Sequence, residues 1–313
     1  MSVTIGHDPR SDAPDVLEPP APGPRRRSLR GWLKAAVVGT NERRLAATTT
    51  RRIVVLCYHS IHPDSPFSSA TPRLFATHLD WLVRHCRVVP LETIACGVRP
   101  CDLDDRPAVA ITFDDGYLDN HDHAFPLLHE RGLTATFFVT AGLLENDASV
   151  IDRLSRLRAT GAGAIRPMTW EHARLMLASG MEIGAHTYSH PNLARLSRHA
   201  ARDELARSKS IIEQRLGSAV ASVAYPFGKP RRHFTSETVS VVRDLGYRYA
   251  CQVLFRGVRR SDSPFRIPRF FVRRDSIDEL RAKVIGAWDP IGAWQERSPL
   301  WLARFVSPRD FPE

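Results

Sequence analysis

Residues Ala108–Tyr117 read Ala-Val-Ala-Ile-Thr-Phe-Asp-Asp-Gly-Tyr. A nearly unbroken apolar run ends in two adjacent carboxylates and a glycine. Runs without polar alternation belong to strands covered on both faces, which is the condition of a parallel sheet packed under helices. Asp114 and Asp115 then stand where such a strand leaves the core, and Gly116 lets the backbone turn without a Cβ penalty. Two carboxylates in that position are costly unless they are paired, hydrogen-bonded or bound to metal. Taken alone, the stretch reads equally well as a solvated Asp-Gly turn, so the rest of the chain has to decide.

The rest of the chain repeats the pattern. Ile53–Tyr58 is a short β-branched apolar run that predicts a strand, and Thr71–Cys86 carries Leu74, Phe75, Leu79, Leu82 and Val83 at helical spacing with Pro72 in the first turn. Residues 87–90 predict a minor strand, 124–131 a helix stopped at Gly132, and 134–140 a strand. Residues 143–167 are polar and irregular, an insertion with one short helix. Thr169 caps a helix through Ala178, 181–185 is a strand, and 200–216 is a long helix. Strand 220–224, helix 236–245, strands 247–253 and 265–272 and helix 276–288 complete the series. About seven strand–helix alternations imply parallel strands joined by right-handed crossovers, hence a (β/α) barrel or barrel-like sheet. No Gly-x-Gly-x-x-Gly follows the first strand, which counts against dinucleotide binding.

The chain therefore divides into a leader (1–52), a catalytic domain (53–288) and a tail (289–313) whose Trp294, Leu300, Trp301, Leu302 and Phe305 pack on the barrel or a neighbour. The leader holds six prolines before position 25, and its ten Lys/Arg against five Asp/Glu supply half of the net charge of +10. It is expected to be disordered apart from a short amphipathic helix near Leu29–Val38. Its arginines suit weak contact with an anionic membrane surface, but no aromatic residues are interleaved for stacking on bases, so nucleic acid is not a partner. Five cysteines, an odd number with no Cys-x-x-Cys, fit a reducing compartment. The apolar stretch Gly31–Gly39 contains Lys34 and falls short of the roughly 20 residues that span a bilayer. The cytoplasm or its membrane face is the expected location, and the oligomeric state is unknown.

Four strand ends carry chemistry: His59, the Asp114-Asp115 pair, the His186/His190 pair and the turn Tyr225–Gly228. Parallel α/β folds gather the carboxyl ends of their strands on one face, so these groups converge. Histidines four apart on one turn reach a single ion, and two imidazoles with one carboxylate make a three-ligand site open to water or substrate, the arrangement of a catalytic Zn²⁺-like ion. Adjacent aspartates project differently, so one is a ligand and its neighbour a general base. A pair cleaving a glycosidic bond would need its carboxyls about 5 to 9 Å apart on opposite faces of a sugar, which argues against glycoside cleavage. Thr187 is placed to hold the histidine loop in shape.

Thr112-Phe113-Asp114-Asp115-Gly116 and His186-Thr187-x-x-His190 resemble the first two motifs of the polysaccharide deacetylase family (the NodB homology domain, carbohydrate esterase family 4), and Ala224-Tyr225-Pro226-Phe227-Gly228 resembles the third. The resemblance covers about residues 53–285. It implies a distorted (β/α)7-type barrel, removal of N-acetyl groups from N-acetylglucosamine-containing glycans, Asp114 as base, and Asp115, His186 and His190 as ligands of a divalent metal, usually Zn²⁺. It also implies that the Phe227 N–H stabilises the oxyanion. The third motif commonly begins with Arg, where this chain has Ala224, and the usual Leu-x-x-His motif carrying the acid is absent. Instead Tyr58-His59-Ser60-Ile61 and Arg266-Ile267-Pro268-Arg269 resemble the branch acting on poly-β-1,6-N-acetylglucosamine. His59 is then the general acid, against a structural histidine capping the first strand. Arg269 orients Asp114, Tyr117 contacts sugar or packs, and Tyr225 is a second sugar contact. The competing readings are an O-acetyl esterase or a deacetylase of chitooligosaccharide or peptidoglycan using the same residues, and a glycan-binding module without catalysis.

Overall fold

A computed structural model describes residues 52–65, 67–97 and 106–297. The leader with its Leu29–Val38 helix, and residues 298–313, lie outside the described residues.

Among the described residues eight strands form, β1 (Ile53–Tyr58), β2 (Arg87–Val88), β3 (Ala108–Phe113), β4 (Thr136–Val139), β5 (Glu182–Ala185), β6 (Ser222–Ala224), β7 (Tyr249–Val253) and β8 (Ile267–Phe271). All pairings between them are parallel. Seven close into a barrel in the order β1-β3-β4-β5-β6-β7-β8, with β8 returning to β1 through Leu56↔Phe270. The two-residue β2 is a spur on the start of β3 (Arg87↔Ala108). The expected seven-stranded barrel is therefore the observed one.

The opening stretch explains itself by position. β3 is buried throughout and pairs with β1 from Ile53↔Ala108 to Tyr58↔Phe113. Val55, Ala108, Ala110, Phe138, Ala224, Cys251 and Ile267 fill one apolar cluster inside the barrel. The residues between them face the helices, where Phe113 stacks on Phe137 (4.6 Å between centroids) and on Tyr58 (5.5 Å). Side chains alternate across a strand, so two buried faces demand apolar residues at every position. Asp114 N–H then donates to Tyr58 C=O (3.0 Å), which carries the pairing one residue further and brings His59 and Asp114 out of the barrel side by side.

The helices follow their caps. α1 (Pro72–His85) starts at Thr71, whose hydroxyl accepts from Leu74 N–H, with proline in the first turn. α2 (Leu91–Ala95) and α3 (Phe125–His129) are short. A π-helical turn, Asn120–Ala124, precedes α3 and starts the expected 124–131 helix earlier. The 143–167 insertion is more ordered than its polarity suggests. It contains α4 (Ala141–Leu144), α5 (Ala148–Leu157) and a 3₁₀ turn (Ala162–Ala164), with Leu143, Leu144, Val150 and Leu154 buried. α6 (Trp170–Ala178), α7 (Arg198–Leu216), α8 (Ser236–Asp244) and α9 (Ile277–Ile285) lie near the expected places.

The tail needs correcting at its start. Residues Asp289–Arg297 form α10, which belongs to the body: Arg52 pairs with Asp289 (2.8 Å) and Arg256 with Glu296 (2.6 Å). Ion pairs and one buried Ile291 hold this helix, so its sequence carries no strong apolar stripe. Among the described residues no helix is long and apolar enough to cross a membrane.

Candidate active site

The carboxyl ends of β1, β3, β5, β6 and β8 build one cluster. Asp115 Oδ1 lies 3.5 Å from His190 Nε2 and 3.6 Å from His186 Nε2. All three residues are buried, and that oxygen has no hydrogen-bond partner among the protein atoms. His186 Nδ1 faces the Ala224 carbonyl (2.8 Å). A carbonyl only accepts, so Nδ1 donates and Nε2 is the nitrogen that faces Asp115. An orphaned buried oxygen facing two imidazole nitrogens suits a cation better than a fourth protein group. The donor set fits a divalent metal held by Asp115, His186 and His190.

Backbone strain concentrates here. Of the eight non-glycine residues at positive φ among the described residues, four belong to the site: Asp115 (77°), Thr187 (66°), His190 (57°) and Phe227 (60°). Such conformations persist where surrounding contacts over-determine them. Gly116 follows Asp115 at φ +90°, and a Cβ there would come within 2.9 Å of Leu144 Cδ1, so the turn after the carboxylates needs glycine twice over. The histidine loop is clasped from both sides. Its Thr187 and Tyr188 carbonyls accept from Ala141 and Gly142 N–H (3.1 and 2.9 Å), and Glu204 on α7 accepts from Tyr188 and Ser189 N–H (3.0 and 2.9 Å). Thr187 Oγ1 accepts from His190 N–H (3.1 Å), the role expected for it.

Asp114 stands beside this cluster, its Oδ2 4.0 Å from His186 Nε2. Arg269, wholly buried inside β8, grips it with two parallel bonds, Nη1 to Oδ1 and Nη2 to Oδ2, both 2.7 Å. Burial opposes the charge on Asp114, but Arg269 and His186 outweigh it and hold its pKa at about 2. Asp115 is likewise kept ionised against its burial, chiefly by Arg158 with the surrounding histidines. His59 closes the cluster from β1, its ring edge-on to Phe271 at 4.9 Å. Its loop is stitched to that of β3, since Asn120 Nδ2 donates to His59 C=O (2.6 Å) and Asp119 accepts from Ser60 Oγ (2.5 Å) and Ile61 N–H (3.1 Å). Phe227 stands with its ring 4.7 Å from His190.

Two expected sugar contacts sit elsewhere. Tyr117 is 2% exposed, accepts from Arg158 Nε (2.9 Å) and packs on Phe67. Tyr225 is fully buried, stacked on Phe234 at 4.0 Å with its hydroxyl on Phe265 C=O (3.1 Å). Their rings are wall, not surface, so neither offers a face to a sugar.

The comparisons with known proteins agree with this geometry. Residues 103–250 match the profile of the polysaccharide deacetylase family, a range that includes Asp114, Asp115, His186, His190 and Phe227. Residues 103–250 therefore carry a polysaccharide deacetylase domain. The Bacillus subtilis protein YxkH is 27% identical over 201 residues, 63% of each chain, so the match spans less than two thirds of that relative's length. A Staphylococcus aureus poly-β-1,6-N-acetyl-D-glucosamine N-deacetylase is 21% identical over 232 residues, 71% of this chain and 72% of the relative. The solved structure of IcaB from Ammonifex degensii superposes with a TM-score of 0.62 at 27% identity, covering 75% of this chain and 98% of the other. His59 and Arg269 lie outside the range matched to the polysaccharide deacetylase profile, so their place in the site rests on the barrel's closure.

Three polar residues of this site lie outside the sequence motifs. Arg158, from the insertion, donates to Asp115 Oδ2 and Tyr117, and Asp119 and Asn120 tie the two loops. Cys57, within the apolar run of β1, donates to Asp114 Oδ2 (3.4 Å). Arg158 is 43 positions from Asp115, and no local spacing could reveal it. Cys57 had a signal, being two residues before His59 on a strand and so on the same face.

Burial of the histidines has a measurable consequence for the metal-free protein. Burial depresses the pKa of His59 to about 4, against the upward pull of Asp115, and those of His190 and His233 to about 3. In the unfolded chain these rings take up protons near the ordinary 6.5. Between those values the unfolded state binds more protons, so stability rises with pH. It is fully present above 6.5 and is lost as the pH falls toward 4 and 3. Urea midpoints measured across this window in chelator should fall steeply with acidification, whereas a flat profile would contradict the burial of these rings.

Proposed function

We propose that this protein is a metal-dependent hydrolase that removes N-acetyl groups from an N-acetylglucosamine-containing glycan, with poly-β-1,6-linked material as the favoured substrate and zinc as the metal. The observation that carries the reading is the convergence of Asp115 Oδ1 with two imidazole Nε2 atoms at 3.5 and 3.6 Å beside the separately held Asp114. The named activity of the S. aureus relative supports the substrate.

A divalent metal on Asp115, His186 and His190 would supply Lewis-acid polarisation of the acetamide carbonyl and make water a better acid. Asp114, ionised at neutral pH because Arg269 holds its charge, takes the proton of the attacking water. Arg269 keeps both carboxylate oxygens in one plane, which fixes the direction from which that proton arrives. As the carbonyl oxygen gains negative charge, the Phe227 N–H donates to it, a donor fixed in place by the left-handed turn after Pro226.

His59 serves the leaving amine. Its ring starts neutral at neutral pH, because burial depresses its pKa to about 4. The nearby Asp114 and Asp115 both favour its protonated form, and negative charge building on the oxyanion does so further. It therefore takes a proton from solvent as the tetrahedral species forms and passes it to the nitrogen. An alcohol leaves from an ester without such help, whereas an amine must be protonated first, so a histidine here favours amide over ester cleavage.

The test is acetate release from a panel of N-acetylglucosamine oligomers of β-1,6 and β-1,4 linkage, with O-acetylated sugars alongside. Release from the β-1,6 series is expected to be fastest. Release only from the O-acetylated sugars would overturn the amide reading.

A further inference from the structure

A second cluster of ligand atoms adjoins the first. Cys57 Sγ, His59 Nδ1 and Asp114 Oδ2 lie within 4.8 Å of one another, and all three residues are buried. The thiol stands 3.4 Å from Asp114 Oδ2, to which it donates, and 4.0 Å from His59 Nδ1. Asp114 Oδ2 already accepts from Arg269 Nη2 at 2.7 Å, so the thiol proton occupies its remaining acceptor position. That proton lies where a cation would have to sit to touch both sulfur and oxygen.

The spacing suits a soft metal. Bond lengths of about 2.3 Å to sulfur and about 2.0 Å to nitrogen or oxygen, with tetrahedral angles, place the sulfur about 3.5 Å from the other ligand atoms. The sulfur–oxygen distance is already slightly shorter, and the sulfur–nitrogen distance needs to close by a few tenths of an ångström. The three residues meet here by construction: Cys57 lies on β1 and His59 just past its end on the same side, and Asp114 continues the neighbouring strand β3.

We propose that Cys57, His59 and Asp114 form a second, inhibitory site for a thiophilic divalent cation such as Zn²⁺ or Cd²⁺. On binding, the Cys57 thiol releases its proton to buffer, and the thiolate, one carboxylate oxygen and one imidazole nitrogen take the ion. Magnesium, which prefers oxygen ligands, is excluded by the sulfur. The site shares Asp114 and His59 with the proposed deacetylase reaction. Excess zinc would therefore remove base and acid together while the ion on Asp115, His186 and His190 stays in place. The inference rests on that reading for its inhibitory consequence only, and its test reads metal and thiolate rather than turnover.

The experiment titrates Cd²⁺ into metal-stripped full-length protein carrying Cys96→Ser, which removes the exposed Cys96 thiol, and Cys101→Ser. Bound cadmium is counted by elemental analysis, and the thiolate-to-cadmium charge-transfer band is followed in the ultraviolet. Two equivalents are expected, with the band growing alongside one of them, and none with Mg²⁺. Cys57→Ser should abolish the band and leave one equivalent. His59→Gln should weaken the band-forming step at least tenfold, which serves where the serine variant does not fold. His186→Ala should lose the other equivalent and keep the band. A single equivalent without a band in the parent, or a band that survives Cys57→Ser, would overturn the proposal. A band lost with His186→Ala would show that the thiolate belongs to the first site, and would overturn it as well. If the protein releases no acetate from any glycan while the two equivalents and the band behave as stated, the site stands and only its inhibitory role falls.

Discussion

Replacing Asp114 by Asn should lower the rate of acetate release by about 10²–10⁴-fold while the metal content stays at the parent level, the range over which a positioned base acts. The carboxamide keeps the shape of the side chain but has no anionic oxygen to receive the proton of water. The ligands Asp115, His186 and His190 are untouched, so retention of metal separates the base from the binding site. The change carries a structural cost as well. Arg269 is fully buried with Asp114 as its bidentate partner. Removing one partner of a buried pair leaves an uncompensated charge and typically costs about 3–5 kcal/mol. Rates should therefore be referred to the folded fraction measured by circular dichroism. A folded, metal-loaded Asp114→Asn protein with near-parent turnover would show that another group takes the proton.

Replacing His186 by Ala should remove the metal itself. His186 supplies one of the two nitrogens facing Asp115 Oδ1, at 3.6 Å, and its other nitrogen is committed to the Ala224 carbonyl. Loss of a hydrogen-bond partner behind a ligand commonly costs 10–100-fold in metal affinity, and loss of the ligand should exceed that. Competition against a chelator measures it directly, and turnover should disappear with the metal. Metal content should therefore fall in His186→Ala and stay at the parent level in Asp114→Asn. That contrast assigns the two residues to different tasks, since both variants lose turnover in ordinary buffer.

The strands were the most legible part of the molecule. β1 and β3 fall on the expected residues because a doubly buried strand leaves no room for polar alternation, and a carboxylate or histidine marks the point of exit. The convergence of His59, Asp114, Asp115, His186 and His190 followed from parallel topology, which puts every strand's carboxyl end on one face. Other features depend on contacts between distant segments. The insertion looked irregular because only a few apolar residues, Leu143, Leu144, Val150 and Leu154, pin its helices to the body. Arg158 belongs to that insertion, and only the folded chain brings it to Asp115. Sequence position leaves Tyr117 as either a sugar contact or a packing residue and makes Tyr225 a sugar contact, because both stand at motif strand ends. In the barrel their hydroxyls are satisfied by Arg158 and Phe265, and their rings complete the core. Helix α10 was taken as tail because its attachment through Arg52 and Arg256 leaves little trace in hydrophobic spacing. Ala224 is instructive in the opposite sense. The guanidinium beside Asp114 comes from Arg269 on β8, and the Ala224 carbonyl holds His186 instead.

The central claim is that a cation on Asp115, His186 and His190 enables hydrolysis of an N-acetyl group. The most direct measurement is acetate release from β-1,6-linked N-acetylglucosamine oligomers by one preparation as purified, after stripping with chelator, and after reloading with one equivalent of Zn²⁺. Release should vanish on stripping and return on reloading. Release that persists undiminished in protein shown by elemental analysis to hold no metal would contradict the claim.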